Sequence, residues 1–467
     1  MSTAQPTSAG ATASAPGAVP AAAAPPGPAL VPNPDPAVAE AELAAARAAW
    51  AALREVDRLT VRVIVDNETD GLSSPCPMCD PQLGPECRTP YVTEFSAGVQ
   101  RVLAGVDPCL DFRRVAMGGH GLSLLIEAEV AQPPQAQGKG SAAQAGAADG
   151  AGAGSGAGAG GVFRVLFDGG PREELWRANA ESLGVDLGGV GGAMLSHWHI
   201  DHSVGLIEVA KAAAATRAAA LGLAAESADD SLLAPPPPFV FDLHPDRPVR
   251  RGFMPLPGRP VPLNEDPTYG QLSPPGCVVE LHAEPHVMGG PAPGPGPAGP
   301  AGPTSGPALG GVFFVSGSIP RRTAFEQGQP GHVQLGSDGT WRPDVFLMDE
   351  RYMAVKIRGR GAVVFTACSH AGVVNVVESV AEVSQSPVAA VMGGFHLASR
   401  PMEQRVPETV AALQRLLPGG LVLAGHCTGW RAKAALAGAF GDRYQPCFVG
   451  GTYAFLAPPR LQDKAPA

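Results

Sequence analysis

The chain has 467 residues, a formal net charge of −10, only 6% aromatic residues, and 60 glycines and 50 prolines. The acidic balance excludes a nonspecific nucleic-acid binder, which needs a basic face, and no apolar run of about 18 residues is present to span a membrane. Glycine and proline stand at about twice their usual share, but the excess is local: it gathers in 1–36, 131–161 and 289–311, with a further Pro-rich stretch at 234–276.

Taken in chain order, residues 1–57 read as a disordered Ala/Pro-rich tail followed by a leading helix over 37–57. Strands are predicted at 59–66, 121–130 and 162–168. The low-complexity run 131–161 enlarges the loop between the last two, where added length costs little. A helix over 172–182 leads to an apolar strand at 191–196 and an Ala-rich helix over 204–223. Residues 234–276 read as irregular, and short strands near 277–282 and 312–316 flank the insertion at 289–311. Strands at 345–348, 362–367, 388–392 and 421–424 then alternate with helices at 373–384, 406–416 and 431–440. Strands alternating with helices of this length indicate an α/β layered domain over 58–457, closed by a short tail at 458–467.

The eight cysteines do not suggest a disulfide scaffold in a chain this long, so a reducing compartment is expected. The first basic residue is Arg47, so the start resembles neither a secretory signal nor an Arg-rich transit peptide. A cytoplasmic location is expected, with a plastid one as the alternative because the start is rich in Ala, Ser and Thr. Cys76-Pro-Met-Cys79, with Cys87 and Cys109 beyond, has the flavour of a zinc knuckle. The spacing is irregular, and a loop with free thiols is the simpler reading.

The strongest signal is Ser196-His197-Trp198-His199-Ile200-Asp201-His202, placed after an apolar strand and before a helix. Residues two apart in an extended segment point the same way, so His197 and His199 can grip one ion. As the chain turns into the helix, Asp201 and His202 face a second. Imidazole and carboxylate are donors that Zn²⁺, Mn²⁺ or Fe²⁺ accept. His370, His396 and His426 each follow an apolar strand in a Gly- or Cys-containing turn, and strand ends of a layered α/β fold are where sites are built. Any one of the three could instead be a core histidine satisfied by a backbone carbonyl. Cys368 and Cys427 flank two of them and are expected to be small buried residues, with redox sensitivity as the alternative.

The strand–HxHxDH–helix arrangement resembles the metallo-β-lactamase superfamily. The ordered set Asp66-Asn67, His120-Gly-Leu-Ser123, Phe167-Asp168-Gly169, Ser316-Gly-Ser-Ile-Pro-Arg321, Cys368-Ser-His-Ala-Gly-Val-Val-Asn375, Gly393-Gly-Phe-His-Leu397 and His426-Cys-Thr-Gly429 is similar to the subgroup named for an archaeal dihydropterin–(ribofuranosyl)aminobenzene 5′-phosphate synthase. The resemblance implies an αββα four-layer sandwich with long low-complexity insertions and a site for two divalent ions, zinc first, with manganese or iron as alternatives. His197, His199 and His370 would hold one ion. Asp201, His202 and His426 would hold the other and take part in catalysis. Asp168 would orient a ligand imidazole.

One departure stands out. The superfamily usually supplies a bridging aspartate in a Gly-Asp turn, yet no aspartate lies between His370 and His426. Either His370 or His396 takes its place, or the second ion is held more weakly. Under another alignment His286 or His244 completes the first site. Arg321 and Arg322 suit an anionic group, since Arg offers a planar fork for phosphate. Asn375 either contacts substrate or caps its helix, and His120 lies near the site by resemblance.

The expected function is hydrolysis of a phosphorylated or pyrophosphorylated small molecule by a hydroxide that two cations make available near neutral pH. The alternatives are a transferase condensing a dihydropterin pyrophosphate with an aryl amine, and a non-catalytic metal-binding protein. No nucleic-acid or membrane partner is expected, and the sequence does not indicate an oligomeric state.

Overall fold

The computed structural model describes residues 36–70, 91–93, 115–132, 160–226, 236–290 and 309–460. The expectations for the first 35 residues, for Cys76, Cys79, Cys87 and Cys109, and for most of both low-complexity insertions fall outside those residues. Helix α1 (Pro36–Ala51) is followed by strands β1 (Arg58–Val65), β2 (Tyr91–Thr93), β3 (Ser123–Val130) and β4 (Gly161–Phe167). Next come helix α2 (Glu173–Leu183), strand β5 (Val190–Met194), and helices α3 (Ile200–Ser203) and α4 (Leu206–Glu226). Strands β6 (Phe239–Leu243), β7 (Arg250–Leu256) and β8 (Arg259–Pro262), helix α5 (Tyr269–Leu272) and strand β9 (Cys277–Leu281) complete this half.

The second half holds β10 (His286–Val287), β11 (Phe313–Val315), β12 (His332–Leu335), β13 (Trp341–Pro343), β14 (Met353–Ile357) and β15 (Gly361–Thr366). Helix α6 (Val373–Ser384), strand β16 (Val388–Gly394), and helices α7 (Arg400–Glu403) and α8 (Val406–Leu416) follow. Strand β17 (Leu421–Gly425), helix α9 (Trp430–Phe440), and strands β18 (Tyr444–Pro446) and β19 (Gly451–Leu456) close the chain.

An eight-stranded sheet in the order β2-β19-β1-β3-β4-β5-β6-β9 faces a seven-stranded one in the order β10-β11-β14-β15-β16-β17-β18. Period-two alternation gives each strand two working faces. Val165 and Phe167 of β4 pack inward with Val363 and Phe365 of β15, building the core between the sheets. Leu166 turns outward onto Trp176 and Ala180 of α2 and Leu206 and Val209 of α4. Val364 turns the other way, onto Val376 and Val380 of α6 and Leu413 of α8. The result is the expected αββα arrangement. Truncating a ring such as Phe365 to Ala would cost about 3–5 kcal/mol. No helix among the described residues is long and apolar enough to cross a membrane.

Two expectations need correction. The Pro-rich 234–276 is not irregular throughout: β7 and β8 form a hairpin within a separate four-stranded sheet ordered β13-β12-β7-β8. Pro260 and Pro262 sit in β8, an edge strand that tolerates the missing donor, and Pro255 sits near the end of β7. The apolar run 345–348 is not a strand either. Leu347 adopts φ 41° and is fully buried from a loop, and the strand comes later, at β14. Helix α1 packs onto the domain through Trp50, whose ring meets Phe314 edge-on at 5.7 Å.

The register places the site. β4, β5 and β6 are parallel, with Phe167 beside Met194 and Met194 beside Asp242. β15, β16 and β17 are also parallel, with Thr366 beside Gly393 and Gly393 beside Ala424. The loops carrying Asp168, the histidine motif, His370, His396 and His426 therefore leave their strands at matching levels.

Candidate metal centre

Asp168 follows β4 with a positive φ of 59°, and its carboxylate turns into the site. Its Oδ2 accepts from Ser196 Oγ at 2.8 Å and pairs with His202 Nδ1 at 2.8 Å, while Oδ1 accepts from Ser196 N. Ser196 Oγ, having donated its proton, accepts from His197 Nδ1 at 2.9 Å. This network fixes both Nδ1 atoms as donors, so the Nε2 lone pairs of His197 and His202 face inward. One carboxylate thus orients an imidazole in each of two clusters. The turn between α3 and α4 packs tightly: a Cβ on Gly205 would lie 1.8 Å from the Gly169 carbonyl oxygen, so this turn approaches the loop after β4 only because position 205 is glycine.

The first cluster is His197, His199 and His370. His197 Nε2 lies 3.0 Å from His199 Nδ1, and His370 Nε2 lies 3.3 Å from the same atom. Burial and neighbouring charges hold these imidazoles well below the usual histidine range: His202 and His199 act on His197, Arg251 on His199, and His396 and His197 on His370. Neutral imidazole is the form that ligates metal. Trp198, between the two histidines, has its N–H held by Asp349 Oδ2 at 2.7 Å and its carbonyl by Arg251 Nη1 at 2.6 Å. Burial alone would raise the Asp349 carboxyl, but Arg251 outweighs it and holds the group at about 2.

The second cluster is Asp201, His202, Cys368 and His426. Asp201 Oδ2 is 3.6 Å from His202 Nε2 and 3.3 Å from His426 Nε2. Burial opposes protonation of both imidazoles, yet both rise: Asp201 and Asp168 lift His202, and Cys427 and Asp201 lift His426. Asn67 Oδ1 accepts from Gly121 N and faces His426 Nδ1 at 3.1 Å, so that nitrogen is the donor and His426 Nε2 also points inward. The ring centroids of His197 and His202 are 4.6 Å apart, so the clusters adjoin. Asp168, Ser369, His396 and His426 all carry non-glycine positive φ, and strain of this kind gathers where a site must be held in shape.

Of the sequence candidates, His197, His199 and His370 meet in one group and Asp201, His202 and His426 in the other. The first group includes neither His244 nor His286. His244 Nδ1 accepts from Asp246 N within its own turn, and His286 pairs with Asp242 at 2.6 Å. His396 gathers with Cys368 and Cys427 instead, its ring 4.4 Å from that of His370. His120 is exposed at the mouth, 3.0 Å from Asn67 Nδ2 and 3.6 Å from Asp201.

Arg321 and Arg322, expected to suit an anion, both meet protein groups. Arg321 donates to the carbonyls of His370, at 2.9 Å, and Phe346, while Arg322 pairs with Glu382 near the surface. Asn375 contacts no open space. Its Oδ1 accepts from Arg322 N and Thr323 N, and its Nδ2 donates to Ala371 O. The amides opening α6 are capped by Glu326 instead.

Sequence reasoning missed Cys368 as a member of the second cluster, and also Asn67 and the run Asp349-Glu350-Arg351. Those three consecutive charges, all buried, reach three places. Asp349 goes to Trp198, Glu350 accepts from His370 N and Ala371 N at 2.7 and 2.6 Å, and Arg351 reaches Asp242 and the Leu195 carbonyl. The available signal was a charged triplet between apolar stretches, which reads equally well as a surface turn.

Residues 160–310 match the family model of the metallo-beta-lactamase superfamily. Over 105 residues, 22% of the chain, the sequence is 32% identical to 7,8-dihydropterin-6-methyl-4-(beta-D-ribofuranosyl)-aminobenzene-5′-phosphate synthase of Methanocaldococcus jannaschii, and the match spans 34% of that protein's length. A solved metal-dependent hydrolase of the beta-lactamase superfamily is similar at 18% identity and TM-score 0.47, covering 84% of this chain and 98% of that one. A metallo beta lactamase from Novosphingobium pentaromativorans is similar at 15% identity and TM-score 0.23, covering 60% and 80%.

Proposed function

Residues 160–310 belong to the metallo-beta-lactamase superfamily, and from that premise we propose that the protein is a di-metal hydrolase of a phosphorylated or pyrophosphorylated small molecule. One observation carries this reading: two sets of ligand-type donor atoms adjoin, and His197, His202 and His426 turn their Nε2 lone pairs inward. His197 Nε2, His199 Nδ1 and His370 Nε2 would hold one divalent ion, and Asp201, His202 Nε2 and His426 Nε2 the other. The donors fit such ions, since three imidazole nitrogens gather at 3.0 and 3.3 Å around His199 Nδ1, and neutral imidazole is a donor that divalent ions accept. When bound, such a pair supplies Lewis acidity to a phosphoryl oxygen and makes water a better nucleophile.

The chain's own groups do the rest. Asp168 holds His197, through Ser196, and His202 in their tautomers, so neither ring must reorganise during a reaction. At the mouth, Asn67 Nδ2 donates to His120 Nδ1, leaving the proton of this ring on Nε2. Although the ring is exposed, partial desolvation and the neighbouring His426 lower the His120 pKa, so the neutral ring presents that N–H to an anionic substrate oxygen. The phosphate preference is supported by this donor and by the name of the Methanocaldococcus relative, whose product is a 5′-phosphate.

That relative is a synthase, which favours a second reading: transfer of a dihydropterin from its pyrophosphate to an aryl amine. The test is metal analysis of the purified full chain, then a panel of phosphomonoesters, phosphodiesters, lactones and thioesters, then a dihydropterin pyrophosphate with and without an aryl amine. Turnover of a phosphoester without amine supports the hydrolase. Formation of coupled product replaces it with the transferase. Fewer than one ion per chain, with no rescue by added Zn²⁺, Mn²⁺ or Fe²⁺, leaves a non-catalytic protein.

A further inference from the structure

One edge of the sandwich carries a further group of ligand-type side chains, sharing no residue with the two clusters. Strand β9 ends the eight-stranded sheet and β10 ends the seven-stranded one. Asp242 of β6 lies beside Glu280 of β9, and also beside Met194 of β5, which packs between the sheets. His286 of β10 lies beside Val315, which packs into the same space from the other sheet. Asp242 and His286 therefore meet across the gap, Oδ2 to Nε2 at 2.6 Å. His282 follows Glu280 by two residues, so both leave β9 on the side of Asp242. Its ring stacks on that of His286 at 4.1 Å, and its Nε2 lies 3.6 Å from Glu280 Oε2. One donor atom from each of Asp242, His282 and His286 falls within 4.8 Å of the others.

The supporting contacts are those that ligands need. His286 Nδ1 donates to the Glu284 carbonyl at 2.9 Å, which directs Nε2 at the carboxylate. Asp242 Oδ1 accepts from Arg351 Nη1 at 2.7 Å, which leaves Oδ2 for the group. Metal-binding imidazoles and carboxylates are held in this way through their other polar atom. Burial alone would raise the Asp242 carboxyl, but His286 and Arg351 outweigh it and hold it well below the usual carboxylate range. The 2.6 Å contact is a hydrogen bond in which His286 Nε2 carries the proton. That proton does not account for a second imidazole brought face to face with the first, with a further carboxylate beside it.

We propose that Asp242, His282 and His286, with Glu280 as the fourth donor, form a separate zinc site that clips the edge of one sheet to the edge of the other. When the ion enters, the His286 Nε2–H bond breaks, its proton leaves to water and a nitrogen–zinc bond forms, with no change of oxidation state. Bonds of about 2.0 Å put neighbouring ligand atoms about 3.3 Å apart, so the Asp242–His286 pair opens slightly as the proton is replaced. Two imidazoles and two carboxylates make a four-donor set that Zn²⁺ accepts. The side chains of His282 and Glu280 are 24% and 26% exposed, which gives the ion a way in. The proposal goes beyond the two-ion reading above and does not depend on it.

The test is a Zn²⁺ titration of the metal-free full chain in competition with a chromophoric chelator. The parent should hold one more zinc equivalent than His282→Ala, a partly exposed position whose replacement leaves the core intact. The same difference of one equivalent should separate His199→Ala from the variant that combines His199→Ala with His282→Ala. Zinc should also raise the Tm of the parent more than that of His282→Ala, because the ion binds only the folded edge. Equal zinc content and equal affinity in the parent and His282→Ala overturn the proposal. A His199→Ala protein that keeps all of its zinc overturns the two-ion reading instead and leaves the His282 comparison standing. Anomalous diffraction at the zinc edge from a zinc-loaded crystal decides the ligands directly. A peak among Asp242, His282 and His286 supports the site, and peaks confined to the other two clusters remove it.

Discussion

The two clusters stand side by side and are built on opposite electrostatic plans. His197, His199 and His370 are three imidazoles that burial keeps neutral, with Arg251 adding positive charge nearby. In the second cluster Asp201 and Asp168 raise His202, and Cys427 and Asp201 raise His426, both against burial. A cation entering the first set displaces no proton from a ring. A cation entering the second competes with protons for the same lone pairs. Adjacent sites in one pocket can therefore differ in affinity, pH response and metal preference while sharing one organising carboxylate.

His199→Ala gives the largest effect. Phosphoesterase activity should fall to the buffer background and one of two ions should be lost, with the circular dichroism spectrum unchanged. Loss of both ions would break the idea of separable clusters. Arg251→Ala removes one side of a buried pair, in which Arg251 meets Asp349 at 2.5 Å and Asp344 at 2.7 Å. It should cost about 3–5 kcal/mol, read as a fall in Tm of the metal-free protein, and it should loosen the first ion more than the second. Asp168→Asn tests the shared member. Metal affinity should drop about 10–100-fold at both sites, measured by competition with a chromophoric chelator, and a drop at one site alone would contradict the network.

Asn67→Ala acts on the second cluster only, through His426, and should weaken that ion about tenfold while sparing the first. The smallest effect is on stability against pH beneath α3. Burial raises Asp266 to about 6, partly offset by a hydrogen bond from Ser203 Oγ. A folded-state value above the unfolded 3.8 means the contribution is fully present below about pH 4 and is lost as pH rises through 6. Asp266→Asn keeps an acceptor for Ser203 and should gain Tm relative to the parent between pH 5 and 8. A constant difference across that range would show that Asp266 is not titrating there.

Much of the fold was legible because it rests on local periodicity. Helices α6 and α8 occupy the ranges that their apolar spacing predicts, and the alternation of Val363, Val364 and Phe365 sorts side chains between two cores. The hairpin β7–β8 was hidden because its prolines mimic a loop, and β14 because a buried loop before it carries the stronger apolar run. Glycine at 393 shows the limit from the other side. Its φ of 135°, and a Cβ that would lie 1.6 Å from the Thr366 carbonyl oxygen, follow only from how closely β15 and β16 approach.

By itself the sequence determined the donors: the HxHxDH segment, and three further histidines at strand ends. These are decided within a few residues, by strand alternation and by the turn that follows each strand. Only the tertiary structure decided the allocation. It sent His370 to the first cluster and His396 to the two cysteines, added Cys368 to the second, and spent Arg321 on the carbonyls of His370 and Phe346. Those outcomes depend on the parallel registers of two sheets and on contacts such as His202–Cys368, which join residues 166 positions apart in the chain. A local pattern carries no information about which distant loop will arrive opposite it, and packing between the sheets supplies that.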